Sequence, residues 1–209
     1  PTNVLINPSK TALVMISDNS NQIYSFAINS SGTLGSPTIS TPTFPELQPA
    51  DPGSPNNLLP FGATFIRNST GETLLTTSLN HNSLDYFTFN GTSGSLGNTN
   101  EVSAGYPDAC WITTNPSQTF AYMAHGTGGA GKITSYLIAS NGQITQSTDG
   151  RPAASISGAA GEMWVDPTGT FLSLLDLQFA KVYSFRIQAN GKLTQLSVAS
   201  IALSNESIF

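Results

Sequence analysis

The 209-residue chain is long enough to bury a full core, yet only 9% of its residues are charged, against 38% that are hydrophobic. The formal net charge of −5 and the lack of any basic run argue against a nucleic-acid surface, and no apolar run is long enough to cross a bilayer as a helix. Regular short apolar runs also exclude a disordered chain.

The chain opens on Pro1-Thr2-Asn3 without an initiator Met, which reads as a processed or truncated product. The first elements are strands: Asn3–Ile6, Ala12–Ser17, Gln22–Ile28 and 33–40. The turn between the first two is Asn7-Pro8-Ser9-Lys10-Thr11. It recurs as Asn68-Ser69-Thr70-Gly71-Glu72-Thr73, as Asn115-Pro116-Ser117-Gln118-Thr119, and as Asp166-Pro167-Thr168-Gly169-Thr170. Pro fixes φ, Asn, Asp and Ser mimic a backbone turn, and Gly supplies positive φ. Copies of the third strand follow at 84–89, 133–138 and 182–187, each leading into a turn with Gly94, Gly142 or Gly191. Four antiparallel strands per period of about 50 residues are the pattern of a propeller blade.

The expected fold is therefore an all-β β-propeller with four four-stranded antiparallel blades, near 1–40, 62–102, 108–149 and 160–200. A Pro-rich insertion, 41–60, holds six of the thirteen prolines and joins the first two blades. The chain is either a closed four-bladed disc or part of a larger ring. In the second case another chain supplies further blades or the sequence is a fragment of a longer one, because open sheet edges and apolar faces are avoided in soluble proteins.

Four sequons, at Asn29, Asn68, Asn90 and Asn205, favour an extracellular, secreted glycoprotein. Strand order puts three of them, Asn29, Asn68 and Asn90, on one end of the propeller. The other end collects His81, His125, Asp18, Asn80, Tyr106, Asp108, Glu162 and Asp176. A histidine oriented by a carboxylate can do acid–base work, so His81 or His125 with Asp108 or Glu162 is the candidate catalytic set. Asp18, Asn80, Tyr106, Asp176 and Trp111 are candidate ligand contacts for a small molecule or carbohydrate. Trp111 and Trp164, on innermost strands, read first as core residues. Cys110 is the lone cysteine and reads as a buried small hydrophobe. Cys110, His81 and His125 do not define a zinc site by spacing, and no metal, other cofactor, nucleic acid or membrane is expected. The run Gly126–Gly131 leads into a strand, not a helix, and is no phosphate cradle.

The (N/D)-P-(S/T)-x-T turn, the strand Val182-Tyr183-Ser184-Phe185 and the G-x-L hairpins resemble the lactonase-like β-propeller family. That group includes propeller-type 6-phosphogluconolactonases and 3-carboxymuconate cyclases. The stretches Leu58-Leu59-Pro60-Phe61-Gly62 and Asp108-Ala109-Cys110-Trp111 are most similar to its secreted fungal members. The resemblance implies seven blades, of which this chain would be the last four. It also implies His, Glu and Arg at the channel end of the innermost strands, and the matching segments here contain no His or Arg. The expectation is thus a ligand- or partner-binding propeller first, and a lactone hydrolase or muconate cycloisomerase second.

Overall fold

The structure, a computed structural model, describes residues 1–42, 59–126, 130–147 and 151–201. Most of the Pro-rich insertion and the Asn205 sequon lie outside the described residues. The described chain is built of strands in four antiparallel sheets. The first is β1 (Asn3–Ile6), β2 (Ala12–Ser17), β3 (Gln22–Ile28) and β4 (Leu34–Ser40). The second is β5 (Pro60–Asn68), β6 (Gly71–Ser78), β7 (Ser83–Phe89) and β8 (Leu96–Ser103). The third is β9 (Ala109–Thr114), β10 (Phe120–His125), β11 (Lys132–Ile138) and β12 (Ile144–Gln146), with β13 (Ala154–Ser155) also paired to β11. The fourth is β14 (Ala160–Val165), β15 (Phe171–Asp176), β16 (Lys181–Ile187) and β17 (Leu193–Ser200). Within each sheet the spatial order follows the chain order, so each is one up-and-down propeller blade.

Two details differ from the sequence reading. Pro60 is not in the insertion but opens β5, opposite Ser78, where a ladder irregularity tolerates a residue without an N–H. The outer strand of the third sheet is split: β12 pairs the end of β11 and β13 pairs its start.

The recurring turn is a side-chain staple. Asn7 Oδ1 accepts the N–H groups of Thr11 and Ala12 at 2.9 and 2.8 Å. Asn115 Oδ1 does the same for Thr119 and Phe120, and Asp166 Oδ1 for Thr170 and Phe171. The amide of Asn7 donates onward to Thr11 Oγ1, and that of Asn115 to Thr119 Oγ1. This accounts for an Asn or Asp at the first position and a Thr at the fifth. The fourth position is left-handed in all three, with φ of 59° at Lys10, 53° at Gln118 and 71° at Gly169. The second copy is tighter: Asn68 pairs directly with Gly71, whose φ is 127°.

Blades pack face to face through three apolar clusters. Ala12, Val14, Ile16 and Ile23 meet Phe65, Leu74 and Phe87 between the first and second sheets. Ile66, Leu75 and Leu84 meet Ile112, Met123 and Tyr136 between the second and third. Tyr122, Ala124 and Ile133 meet Met163, Leu172, Leu174 and Phe185 between the third and fourth. Polar clamps add to this. Glu72 accepts from Asn7 Nδ2, from Ser9 N–H and O–H, and from Arg67, tying the first turn to the second sheet.

Among the described residues no such cluster joins the fourth sheet to the first. Val4 and Ile6 are 57% and 56% exposed, and they share a face with Leu13, Met15, Tyr24 and Phe26. At the other extreme Trp164 is 59% exposed, because it points away from Met163 and Val165, which face the third sheet. The expectation of a core tryptophan at 164 is corrected for that reason: among the described residues no blade packs on its side of the sheet. Among the described residues the four blades form an open arc.

Candidate functional site

The β2–β3, β6–β7, β10–β11 and β15–β16 loops share one end of the arc with the starts of the inner strands β1, β5, β9 and β14. There the inner strands approach very closely. Thr2 Oγ1 donates to Phe61 C=O at 2.9 Å, and Thr77 Oγ1 donates to Cys110 C=O at 2.6 Å. A Cβ at Gly62 would sit 2.4 Å from Cys110 O, so only glycine lets β5 and β9 meet. The approach brings the half-buried rings of Phe61 and Trp111 edge to face, 5.1 Å apart. Trp111 also packs on the cluster between the third and fourth sheets. Burial raises the Cys110 thiol, only partly offset by the Gly126 N–H, so the group stays protonated and is a weak nucleophile.

His125 is fully buried at the end of β10. Its Nδ1–H donates to Pro107 C=O at 3.1 Å, which leaves Nε2 to accept from Thr134 Oγ1 at 3.0 Å. The Tyr106 ring packs edge-on against it at 5.7 Å. Burial pushes its pKa down to about 4, against the opposing effect of the Pro107 and Tyr106 carbonyls, so the ring is neutral at physiological pH. The expected orienting carboxylate is corrected: a backbone carbonyl and a threonine hold His125, not Asp108 or Glu162.

His81 has an acidic neighbour that sequence reasoning missed. Its Nδ1 lies 3.7 Å from Glu101 Oε1, with little of either side chain exposed. Glu101 stands opposite Asp85 across β7 and β8, and Ser83 Oγ donates to Asp85 Oδ1 at 2.7 Å. Burial holds the Asp85 carboxyl well above the usual range; the Ser83 bond opposes this, and repulsion from Glu101 adds to it. The signal in the sequence was a single Asp inside the apolar strand Ser83-Leu84-Asp85-Tyr86-Phe87. Asp85 itself is sealed from solvent.

The remaining candidates scatter. Asp176 is buried; its Oδ1 accepts the Gln178 and Phe179 N–H groups, its carboxylate packs on Gly158, and its Oδ2 has no hydrogen bond from other described residues. Glu162 is exposed on the same open side of the fourth sheet as Trp164 and is not brought to either histidine. Asp108 has a left-handed φ of 56°, and its N–H donates to Asn82 Oδ1. Asp18 accepts its neighbour's N–H, from Asn19, and Asn80 is exposed. Of the sequons, Asn29 and Asn90 are at exposed turns, whereas Asn68 Nδ2 donates to Thr73 Oγ1 and abuts Gly142.

Residues 73–165 match the family model described as "Lactonase, 7-bladed beta-propeller". Over that stretch the chain is similar to the lactonase-like β-propellers, and its fold is a β-propeller. Its backbone superposes on a putative 6-phosphogluconolactonase from Bacteroides fragilis with a TM-score of 0.69 at 17% identity, covering 96% of this chain and 57% of that one. A periplasmic gluconolactonase from Pseudomonas aeruginosa gives 0.70 at 15% identity, covering 97% and 57%. A protein from Lactobacillus plantarum gives 0.71 at 14%, covering 96% and 57%. Among curated proteins no sequence matches. The propeller thus spans about four-sevenths of the length of each of these structures, the share that four blades hold in a ring of seven.

Proposed function

We propose that this chain forms four blades of an extracellular, glycosylated lactonase-like propeller and binds its ligand at the inner-strand end without turning it over. The observation that carries this reading is the state of His125. The one fully buried histidine at that end is neutral and has both ring nitrogens engaged, while the half-buried Phe61–Trp111 pair forms an aromatic wall at the same end. Such a wall suits a ligand with an apolar face. Secretion rests on the exposed sequons Asn29 and Asn90.

Three further blades, on whichever polypeptide carries them, complete the ring. The four-sevenths share, the apolar face left open at Val4 and Ile6, and the exposed Trp164 support this. The native mass of the assembled particle checks it. A particle no larger than four blades would overturn it.

A second reading, lactone hydrolysis with His81 as base, is favoured by the His81–Glu101 pair. The two separate in one assay. Purified protein is incubated with 6-phosphogluconolactone and with glucono-δ-lactone, and ligand binding is followed by Trp111 fluorescence in a Trp164→Phe background. The first reading expects hydrolysis at the buffer rate and quenching of Trp111. Turnover abolished by His81→Gln would replace it with the second. Turnover indifferent to His81→Gln would place the chemistry on the other blades.

A further inference from the structure

The opposite end of the arc, where the staple turns lie, carries a cleft of about 400 Å3 between the second and third blades. One wall is the face of the second sheet, where Tyr86 stands opposite Asn100 across β7 and β8. The other wall is the β11–β12 turn, with Asn141, Gly142 and Gln143. The walls are held together by the protein itself. Ser69 N–H and O–H both donate to Ser140 C=O, at 3.2 and 3.0 Å. The Asn68 amide packs directly over Gly142, whose φ of 85° is one that glycine adopts without strain. The cleft is therefore a built feature of the blade interface.

Its chemistry is uniform. The phenol of Tyr86 is the one ionisable side chain that lines it; the rest are amides and threonine hydroxyls. Asn100 Nδ2 donates to Asn98 C=O at 3.0 Å. The Tyr86 hydroxyl and the side-chain amides of Asn98 and Gln143 make no hydrogen bond to other described residues. Side-chain amides both donate and accept, which matches a ligand whose groups also do both. The half-buried Tyr86 ring presents an apolar body with a polar tip. A charged ligand would be desolvated here without a countercharge.

We propose that this cleft binds an uncharged polyhydroxyl ligand of mono- or disaccharide size. The volume falls within the usual range for small-molecule clefts, about 300–1,000 Å3. The site lies at the end remote from His125 and does not depend on what the inner-strand end does.

The test is calorimetry and saturation-transfer NMR on the purified protein, with mannose, N-acetylglucosamine and cellobiose as neutral probes and 6-phosphogluconate as the charged counterpart. At least one neutral sugar is expected to bind with a Kd of ~1 mM or tighter, and 6-phosphogluconate is expected not to bind this cleft. Asn100 and Gln143 are exposed, so the double variant Asn100→Ala, Gln143→Ala should keep its thermal midpoint and lose about tenfold in affinity. Tyr86→Phe, which keeps the ring, should bind with smaller loss. No binding by any neutral probe, or binding that the double variant leaves intact, would overturn the proposal. So would 6-phosphogluconate binding that the double variant abolishes. A glycan found on Asn68 by peptide mass spectrometry of the native protein would overturn it as well, since the chain's own sugar would then fill the cleft.

Discussion

Replacing Asn115 with Ala should cost the propeller a substantial part of its stability. The side chain is 7% exposed, so water cannot readily take its place. Its Oδ1 accepts the N–H groups of Thr119 and Phe120 at 2.9 and 2.8 Å, and its Nδ2 donates to the hydroxyls of Ser117 and Thr119. Each net hydrogen bond is worth about 1 kcal/mol, and a buried donor left without an acceptor costs more, so Asn115→Ala should lose about 2–3 kcal/mol. For a chain of this size about 1 kcal/mol moves the thermal midpoint by about 2–4 °C, which predicts a fall of about 5–10 °C.

The control is internal to the fold. The fourth copy of the turn uses Asp166, whose Oδ1 accepts both backbone N–H groups while Oδ2 accepts the Thr168 hydroxyl. Asn115→Asp should therefore keep most of the stability, because the two hydroxyls can turn and donate to the new carboxylate. Urea unfolding followed by tryptophan fluorescence, with a thermal scan beside it, measures both variants. If Ala and Asp were equally destabilising, or if Ala fell within about 0.5 kcal/mol of the parent, the staple would not be what holds the turn.

Three other outcomes follow from particular contacts. His125 has a folded pKa of about 4, below its unfolded value of about 6.5, so the unfolded chain takes up the proton first as pH falls. Stability should be full above pH ~6.5 and drop by about 3 kcal/mol by pH ~4, and urea midpoints for His125→Gln should show a flatter profile across that window. Burial opposes ionisation of Glu72, but bonds from Ser9, Asn7 and Arg67 outweigh it and hold its pKa below the usual carboxylate value. Its contribution is therefore present above the unfolded pKa and lost as pH falls through the folded one, and Glu72→Gln should remove that segment of the acid-unfolding curve. Gly62→Ala should destabilise by about 3 kcal/mol or prevent folding, since the atoms met are the backbone of Cys110 and Trp111 and cannot swing aside. Gly32→Ala, with nothing near its Cβ but a φ of 81°, should cost about 1 kcal/mol and serves as the comparison in the same melts.

What the sequence made legible was local. The four staple turns are each carried by five or six consecutive residues, so the blades could be read off their spacing. The strand alternation behind them is equally local. The site was not local. Glu101 reaches His81 because β7 and β8 pair Asp85 with Glu101, a register that spacing alone does not reveal. His125 was readable as a histidine at a strand end, but its sealing depends on Thr134 one strand over and on the Pro107 carbonyl one loop back. Asp176, expected as a ligand contact, also bonds locally to the Gln178 and Phe179 N–H groups, which its place at a strand end made legible.

The tryptophans carry the point further. Trp111 and Trp164 occupy corresponding inner strands and look alike in sequence, yet one is half-buried and the other is mostly exposed. Alternation records which residues face a neighbouring blade; it does not record whether the neighbour is present. Val4 and Ile6 in β1 are patterned like Met163 and Val165 in β14, and only the second pair has a blade to pack against. An apolar face of this kind, left open at β1, and a tryptophan left exposed on β14 are costly in water. On the proposal that three further blades complete the ring, the pattern that builds three blade interfaces inside this chain would serve two more at its edges. Trp164→Asp, on the inner edge strand of the fourth sheet, should leave the fold of the four blades intact and weaken the proposed assembly with the blades that complete the ring, read as a shift of native mass toward the free arc. A variant that assembled as the parent does would show that this face is not an interface.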